Sequence, residues 1–155
     1  MKRILVLSDS HGNVNNMVTA VGRLHPDMII HLGDCWADAE QLHRKFPMTV
    51  MEQVPGNCDC RQEFLERILL IEGKKILICH GHTYNVKAGY MNLQYGAQEK
   101  EVDAALLGIP TVFFMIHTMA LPISIREASA RRRMEFRLLM RFSKLTDLQT
   151  QSITK

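Results

Sequence analysis

The chain has 155 residues, 46% of them hydrophobic, and carries a net charge of +3. That length suits one domain with a true core, the apolar content excludes a disordered chain, and so small a charge does not by itself argue for nucleic acid. The basic excess collects between residues 126 and 144 and reads as a solvated helix face before it reads as a phosphate-binding patch.

In chain order, "RILVLSD" (3–9) is an apolar run ending in Ser-Asp and predicts a buried strand. "NVNNMVTAVGRL" (13–24) places Val14, Met17, Val18 and Val21 at helical spacing. "DMIIHLGD" (27–34) is a second strand with a polar end, and "AEQLHRKF" (39–46) is a helix. "MTVMEQVPGNCD" (48–59) is a third strand, ending at Pro-Gly-Asn. Residues 60–82 hold a strand, an "EGKK" turn that suggests a hairpin, and the strand "KILICHGH". "KAGYMNLQYGAQEKEV" (87–102) is a helix and "DAALLG" (103–108) a further strand. This alternation predicts an α/β layered domain with a largely parallel sheet, whose binding sites lie beyond the C-terminal strand ends. There is no internal repeat, linker or low-complexity segment, so a single domain over 1–155 is expected.

The four cysteines, Cys35, Cys58, Cys60 and Cys79, do not form the paired CxxC spacing of a structural zinc site. The N-terminus reaches polar residues too early for a signal-peptide apolar region, so a reduced, cytoplasmic compartment is expected. The apolar run at 105–122 contains Pro110 and Pro122 and falls short of the roughly 18–20 unbroken residues of a membrane span, so no membrane partner is expected.

The strand ends carry the chemistry. The first gives Asp9-Ser10-His11-Gly12-Asn13, the second Gly33-Asp34, the third Gly56-Asn57-Cys58-Asp59 and the fourth His80-Gly81-His82. Each feature alone is an ordinary turn or a packed histidine. Together they present carboxylate, amide and imidazole at successive strand termini, the donor set of hard and borderline metal ions. Converging on one rim, they can hold two divalent cations, with a carboxylate such as Asp34 between them. Trp36, just after Asp34, either packs at an edge or contacts a substrate base. His25, His31 and His43 read as surface or strand-packing histidines.

The set "DSHG", "GD", "GNCD" and "HGH" resembles the calcineurin-like metallophosphoesterase superfamily, and within it the small YfcE-like phosphodiesterase branch. The resemblance is strongest over residues 1–108 and implies a four-layer α/β/β/α sandwich. It implies that Asp9 and His11 ligate a first metal, that Asp34 bridges, and that Asn57 and His80 ligate a second. The cations implied are Mn²⁺ or, alternatively, Fe, Zn or Ni. The reaction implied is attack of an activated water on a small phosphodiester or nucleotide-like substrate, with nucleic acid not expected and a homo-oligomer left open. Cys58 stands where larger relatives place a histidine, so Asp59 and His82 are the candidates for the general acid. The arrangement fits phosphodiester hydrolysis, while a metal-binding remnant without turnover is the alternative.

The resemblance breaks at one place. The family carries a further Gly-His-Thr-His motif, and at that spacing this chain reads Gly108-Ile109-Pro110-Thr111. Both histidines are missing, and neither isoleucine nor threonine replaces a directed imidazole donor. Codons GGN CAY ACN CAY, with the last base of the glycine codon deleted and suitable wobble bases, read Gly-Ile-Pro-Thr. The sequence therefore suggests a shifted reading frame after Gly108, with residues 109 onward not selected as such. The rival expectation is a natural variant in which His117 serves as a ligand.

Overall fold

The computed structural model describes residues 2–61 and 63–109 in full and, beyond them, the backbone of three strands at 112–115, 123–127 and 137–142. Thr111, His117 and most of the arginine-rich tail lie outside the described residues.

Nine strands are described in chain order: β1 (Lys2–Leu7), β2 (Met28–His31), β3 (Val50–Gln53), β4 (Glu66–Ile71), β5 (Lys74–Cys79), β6 (Ala104–Leu107), β7 (Val112–Met115), β8 (Ile123–Glu127) and β9 (Arg137–Phe142). The helices are α1 (Val14–Leu24), α2 (Trp36–Lys45) and α3 (Met91–Glu99), with a 3₁₀ turn at His82–Tyr84. One sheet runs β3-β2-β1-β9-β8 and the other β4-β5-β6-β7.

Strand alternation explains why there are two sheets. Ile4 and Val6 of β1, Met28 and Ile30 of β2, Ile76 and Ile78 of β5 and Leu106 of β6 form one cluster between the sheets. The alternate residues face outward: Leu5, Leu7 and Ile29 pack on α1 and α2, while Leu77, Cys79, Ala105 and Leu107 pack on α3. Side chains two apart share a face, so each continuous apolar strand is buried on both sides. The layers are therefore helix, sheet, sheet, helix, as the family resemblance implies.

The expectation of a largely parallel sheet is corrected. Parallel pairing holds for β1–β2, β2–β3 and β5–β6, whereas β4–β5, β6–β7, β1–β9 and β8–β9 are antiparallel. At the predicted hairpin, Ile71 pairs with Lys74 across Glu72 (φ 49°) and Gly73 (φ 78°). Two positive-φ residues make the tight turn whose twist matches the strands it reverses.

α1 begins at Asn13, whose side chain accepts from the Asn16 N–H, and buries Val14, Met17, Ala20 and Val21 on one stripe. α2 begins three residues before its apolar periodicity does, for a reason that lies in the site.

Candidate metal centre and active site

Asp9 follows β1, Asp34 follows β2, Asn57 follows β3 and His80 follows β5, so the strand ends meet on one rim. One ligand atom from each of Asp9, Asp34 and His80 lies within 4.8 Å of the other two. Around them, His11 Nε2 stands 3.9 Å from Asp34 Oδ2, and Asn57 Oδ1 stands 3.1 Å from His80 Nε2. The five residues expected as ligands thus share one neighbourhood, with Asp34 and His80 buried and His11 and Asn57 exposed.

The hydrogen bonds fix what the cluster needs. His80 Nδ1 lies 2.7 Å from the Leu32 carbonyl, which can only accept, so Nδ1 carries the proton. In the neutral ring, Nε2 then offers a lone pair toward Asn57 Oδ1 and toward Asp34 Oδ1 at 3.4 Å. Acceptors facing acceptors repel unless a proton or a cation stands among them. Carboxylate, imidazole and amide oxygen together suit a borderline divalent cation, and the bond from Nδ1 to a carbonyl orients a metal-binding histidine. The donor set fits such an ion.

The charges point the same way. Burial pushes the Asp9 carboxyl above its usual range. Burial would also raise Asp34, but the Cys58 N–H at 3.0 Å and the neighbouring His80 and His11 outweigh it and hold that carboxyl low. Backbone strain concentrates here too: Asp9 (φ 55°), His11 (φ 41°), Asp34 (φ 59°) and Cys35 (φ 77°) all have left-handed backbone. Such conformations cost about 1–3 kcal/mol each and persist where the surroundings over-determine them.

Two carboxylates outside the ligand set hold the loops in place. Asp59 accepts from four backbone N–H groups: Asp34 at 3.1 Å, Cys35 at 3.0 Å, Trp36 at 2.8 Å and Gly56 at 2.8 Å. It ties the loop after β2 to the loop after β3 and satisfies the first N–H groups of α2, a cap supplied from a distant part of the chain. That is why α2 starts at Trp36. The two loops touch closely: a Cβ on Gly56 would fall 2.1 Å from Asp34 Oδ1, and one on Gly33 would fall 2.5 Å from the Gly56 nitrogen.

Asp38 does the same for the first loop, accepting from Ser10 Oγ at 2.7 Å and from the Gly12 N–H at 2.6 Å. Behind it, His31 Nδ1 accepts from the Gly33 N–H at 3.4 Å and its Nε2 lies 3.3 Å from Ser10 Oγ. Burial brings His31 down to about 4, so the ring is neutral as this chain of bonds requires.

The expected general acids separate. The Asp59 carboxylate accepts from the backbone of both ligand loops, a positioning role beside the proton-donor role expected of it. His82 lies beyond β5 with its ring 5.6 Å from that of His80, and its Nδ1 is buried without a partner among the described residues. Burial and the neighbouring His80 lower its pKa. His82, Asn57, Lys87 and Ile109 line a small cavity of about 160 Å³. Gly108 is seated tightly, since a Cβ there would lie 2.5 Å from His80 Nδ1, and the Ile109 N–H donates to the His80 carbonyl at 2.9 Å. The backbone is therefore held in place to residue 109, the isoleucine at which the resemblance implies a histidine.

Residues 1–109 match the model of the calcineurin-like phosphoesterase superfamily domain. The chain belongs to this superfamily. It is 36% identical over 109 residues to a probable metallophosphoesterase, YsnB, of Bacillus subtilis, covering 68% of this chain and 62% of that protein. It is 32% identical over 112 residues to a probable metallophosphoesterase of Mycoplasma pneumoniae, covering 70% of this chain and 67% of the relative. The match thus spans less than two thirds of the first relative's length and about two thirds of the second's. A solved structure from Streptococcus pneumoniae, a conserved protein described as a predicted phosphoesterase, aligns with a TM-score of 0.53 at 23% identity over 81% of this chain and 82% of the other. The metallophosphoesterase family is one of hydrolases that use divalent metals, and the Asp9, Asp34 and His80 cluster is a candidate site for one. The superfamily match ends one residue past Gly108.

Sequence reasoning missed Asp38 and missed the loop-anchoring bonds of Asp59. The signal for Asp38 was its position in the first turn of a helix directly after a ligand loop, a site suited to accepting backbone N–H groups. Among the described residues, no helix is long and apolar enough to cross a membrane.

Proposed function

We propose that this chain hydrolyses small phosphodiesters, including nucleotide-like ones, in the cytoplasm, with Mn²⁺ as the working cation. The observation that carries the reading is the convergence of Asp9, Asp34 and His80 within 4.8 Å on a rim with an oriented imidazole and no hydrogen-bond donor of its own between Nε2 and the facing oxygens. Asp9, Asp34 and His80 would hold one cation firmly, with His11 and Asn57 beside it. A divalent cation there supplies positive charge to phosphoryl oxygens and makes a water acidic enough to attack at neutral pH. His11 and Asn57, both exposed, face the substrate side. His82 in its protonated form passes a proton to the leaving alkoxide, a form that burial makes scarcer at neutral pH and that grows as pH falls, and Asp59 and Asp38 keep the ligand loops in register.

A second reading, a metal-binding chain with little or no turnover, is favoured by Ile109. A second cation would lack the imidazole donors of the missing motif, and the superfamily match stops where the sequence departs from it. A shifted reading frame after Gly108 accounts for both facts. Resequencing the coding DNA checks it, and an uninterrupted Gly-Ile-Pro-Thr frame in close relatives counts against it.

One assay separates the two readings. The first predicts Mn²⁺-dependent hydrolysis of bis(p-nitrophenyl) phosphate that is abolished by Asp34→Asn. Metal binding without any turnover supports the second.

A further inference from the structure

At the β3 edge of its sheet, Trp36, Glu40, His43, Met51, Gln53 and Arg67 line an open cavity of about 260 Å³. Trp36, Glu40 and His43 lie at i, i+4 and i+7 on one face of α2, and Met51 and Gln53 lie two apart on one face of β3. Ligand sites of drug-sized molecules run to about 300–1,000 Å³. This one falls just below that range and suits a single ring system rather than a whole nucleotide.

Its chemistry is selective. The Trp36 ring is fixed by its Nε1–H, which donates to Glu40 Oε1 at 2.7 Å, and one guanidinium, that of Arg61, sits 4.5 Å from its ring centroid. An aromatic wall held in this way gives stacking area without ordering cost on binding. The cations nearby are already paired, Arg61 with Glu40 at 3.8 Å and Arg67 with Glu52. The cavity is therefore a poor phosphate site. One polar atom is left over: Gln53 Oε1 is buried with no hydrogen-bond partner among the described residues. A buried acceptor without a donor keeps its desolvation penalty uncompensated, so it is a place for a ligand N–H. Gln53 ends β3 four residues before Asn57, and Trp36 stands two residues after Asp34. The cavity and the metal cluster thus share the two loops that Asp59 joins.

We propose that this cavity is a subsite for a nucleobase carrying an N–H donor, stacked along Trp36 and donating to Gln53 Oε1. It rests on the phosphodiesterase reading only in making that base part of the hydrolysed diester; ring binding itself needs no metal.

Trp36 is the only tryptophan in the chain, so its emission reports the cavity directly. Guanosine and adenosine, which carry no phosphate, are titrated into the protein with excitation at 295 nm. The expected result is saturable quenching that ribose 5-phosphate does not produce. Gln53→Leu weakens it by about tenfold or more, the loss of one buried hydrogen bond, and Gln53→Glu, which keeps an acceptor, weakens it less. His43→Ala, at an exposed helix position, serves as a second weakened variant if Gln53→Leu does not fold. Absence of saturable quenching overturns the proposal, as does quenching of equal affinity in wild type, Gln53→Leu and His43→Ala, or equal quenching by ribose 5-phosphate. Turnover of bis(p-nitrophenyl) phosphate is read separately, so failure of the subsite and failure of the phosphodiesterase reading give different results.

Discussion

At the scale of single residues, the residues of the candidate cluster were legible because each follows an apolar run. A carboxylate or imidazole at the end of a buried strand has few structural reasons to be there, and Asp9, Asp34 and His80 meet as their positions implied. Asp59 was not legible. Its partners are the N–H groups of residues 34 to 36 and of Gly56, and most of those lie more than twenty positions upstream. Nothing local distinguishes a carboxylate that anchors such loops from one that donates a proton. Asp59→Asn swaps one acceptor oxygen for a donor facing backbone N–H groups. Metal affinity is expected to fall by about 10–100-fold, the usual cost of losing an outer partner of a metal site. Isothermal titration with Mn²⁺ measures it, and an unchanged affinity counts against the anchoring role.

At the scale of elements, apolar periodicity located the strands of the first 109 residues and placed the three described helices, with the bounds of α2 and α3 shifted. α2 begins at Trp36 rather than residue 39 because Asp59 caps it from another loop. α3 begins at Met91 rather than residue 87 because the chain after β5 first makes a 3₁₀ turn and further turns through Asn85 and Val86. Sheet direction was less legible, since a strand's apolar pattern is the same whichever way its neighbour runs. What the pattern did carry is burial on both faces. Leu77 of β5 packs under α3 with Leu93 and Leu107 and is fully buried. Leu77→Ala is expected to cost about 2–5 kcal/mol, through lost burial and a residual cavity. Urea unfolding reads it as a lower midpoint at unchanged slope, and a cost below about 1 kcal/mol contradicts the packing.

At the scale of the whole molecule, folding and the site are coupled through His31. The unfolded ring takes its proton near 6.5 and the folded one only near about 4. Between those values the unfolded chain binds more protons, so stability rises with pH across the window and is lost as pH falls through it. A displacement of that size corresponds to about 3 kcal/mol. Burial is the main cause, opposed by Asp59, Asp38 and Asp34 and assisted by His80. Asp9, held above its usual range, contributes the opposite slope, so the reading is the difference from a His31→Gln chain. Wild type is expected to lose more stability than that variant between pH 7 and pH 4.5, and equal losses contradict a buried neutral His31.

The central claim is that Asp9, Asp34 and His80 hold a divalent cation. Elemental analysis of the purified chain after dialysis against Mn²⁺ tests it most directly, with Asp34→Asn measured beside it and circular dichroism confirming that both are folded. The account predicts close to one equivalent of tightly held metal in the wild type and almost none in Asp34→Asn. Metal-free wild type, or equal metal content in the two chains, contradicts it.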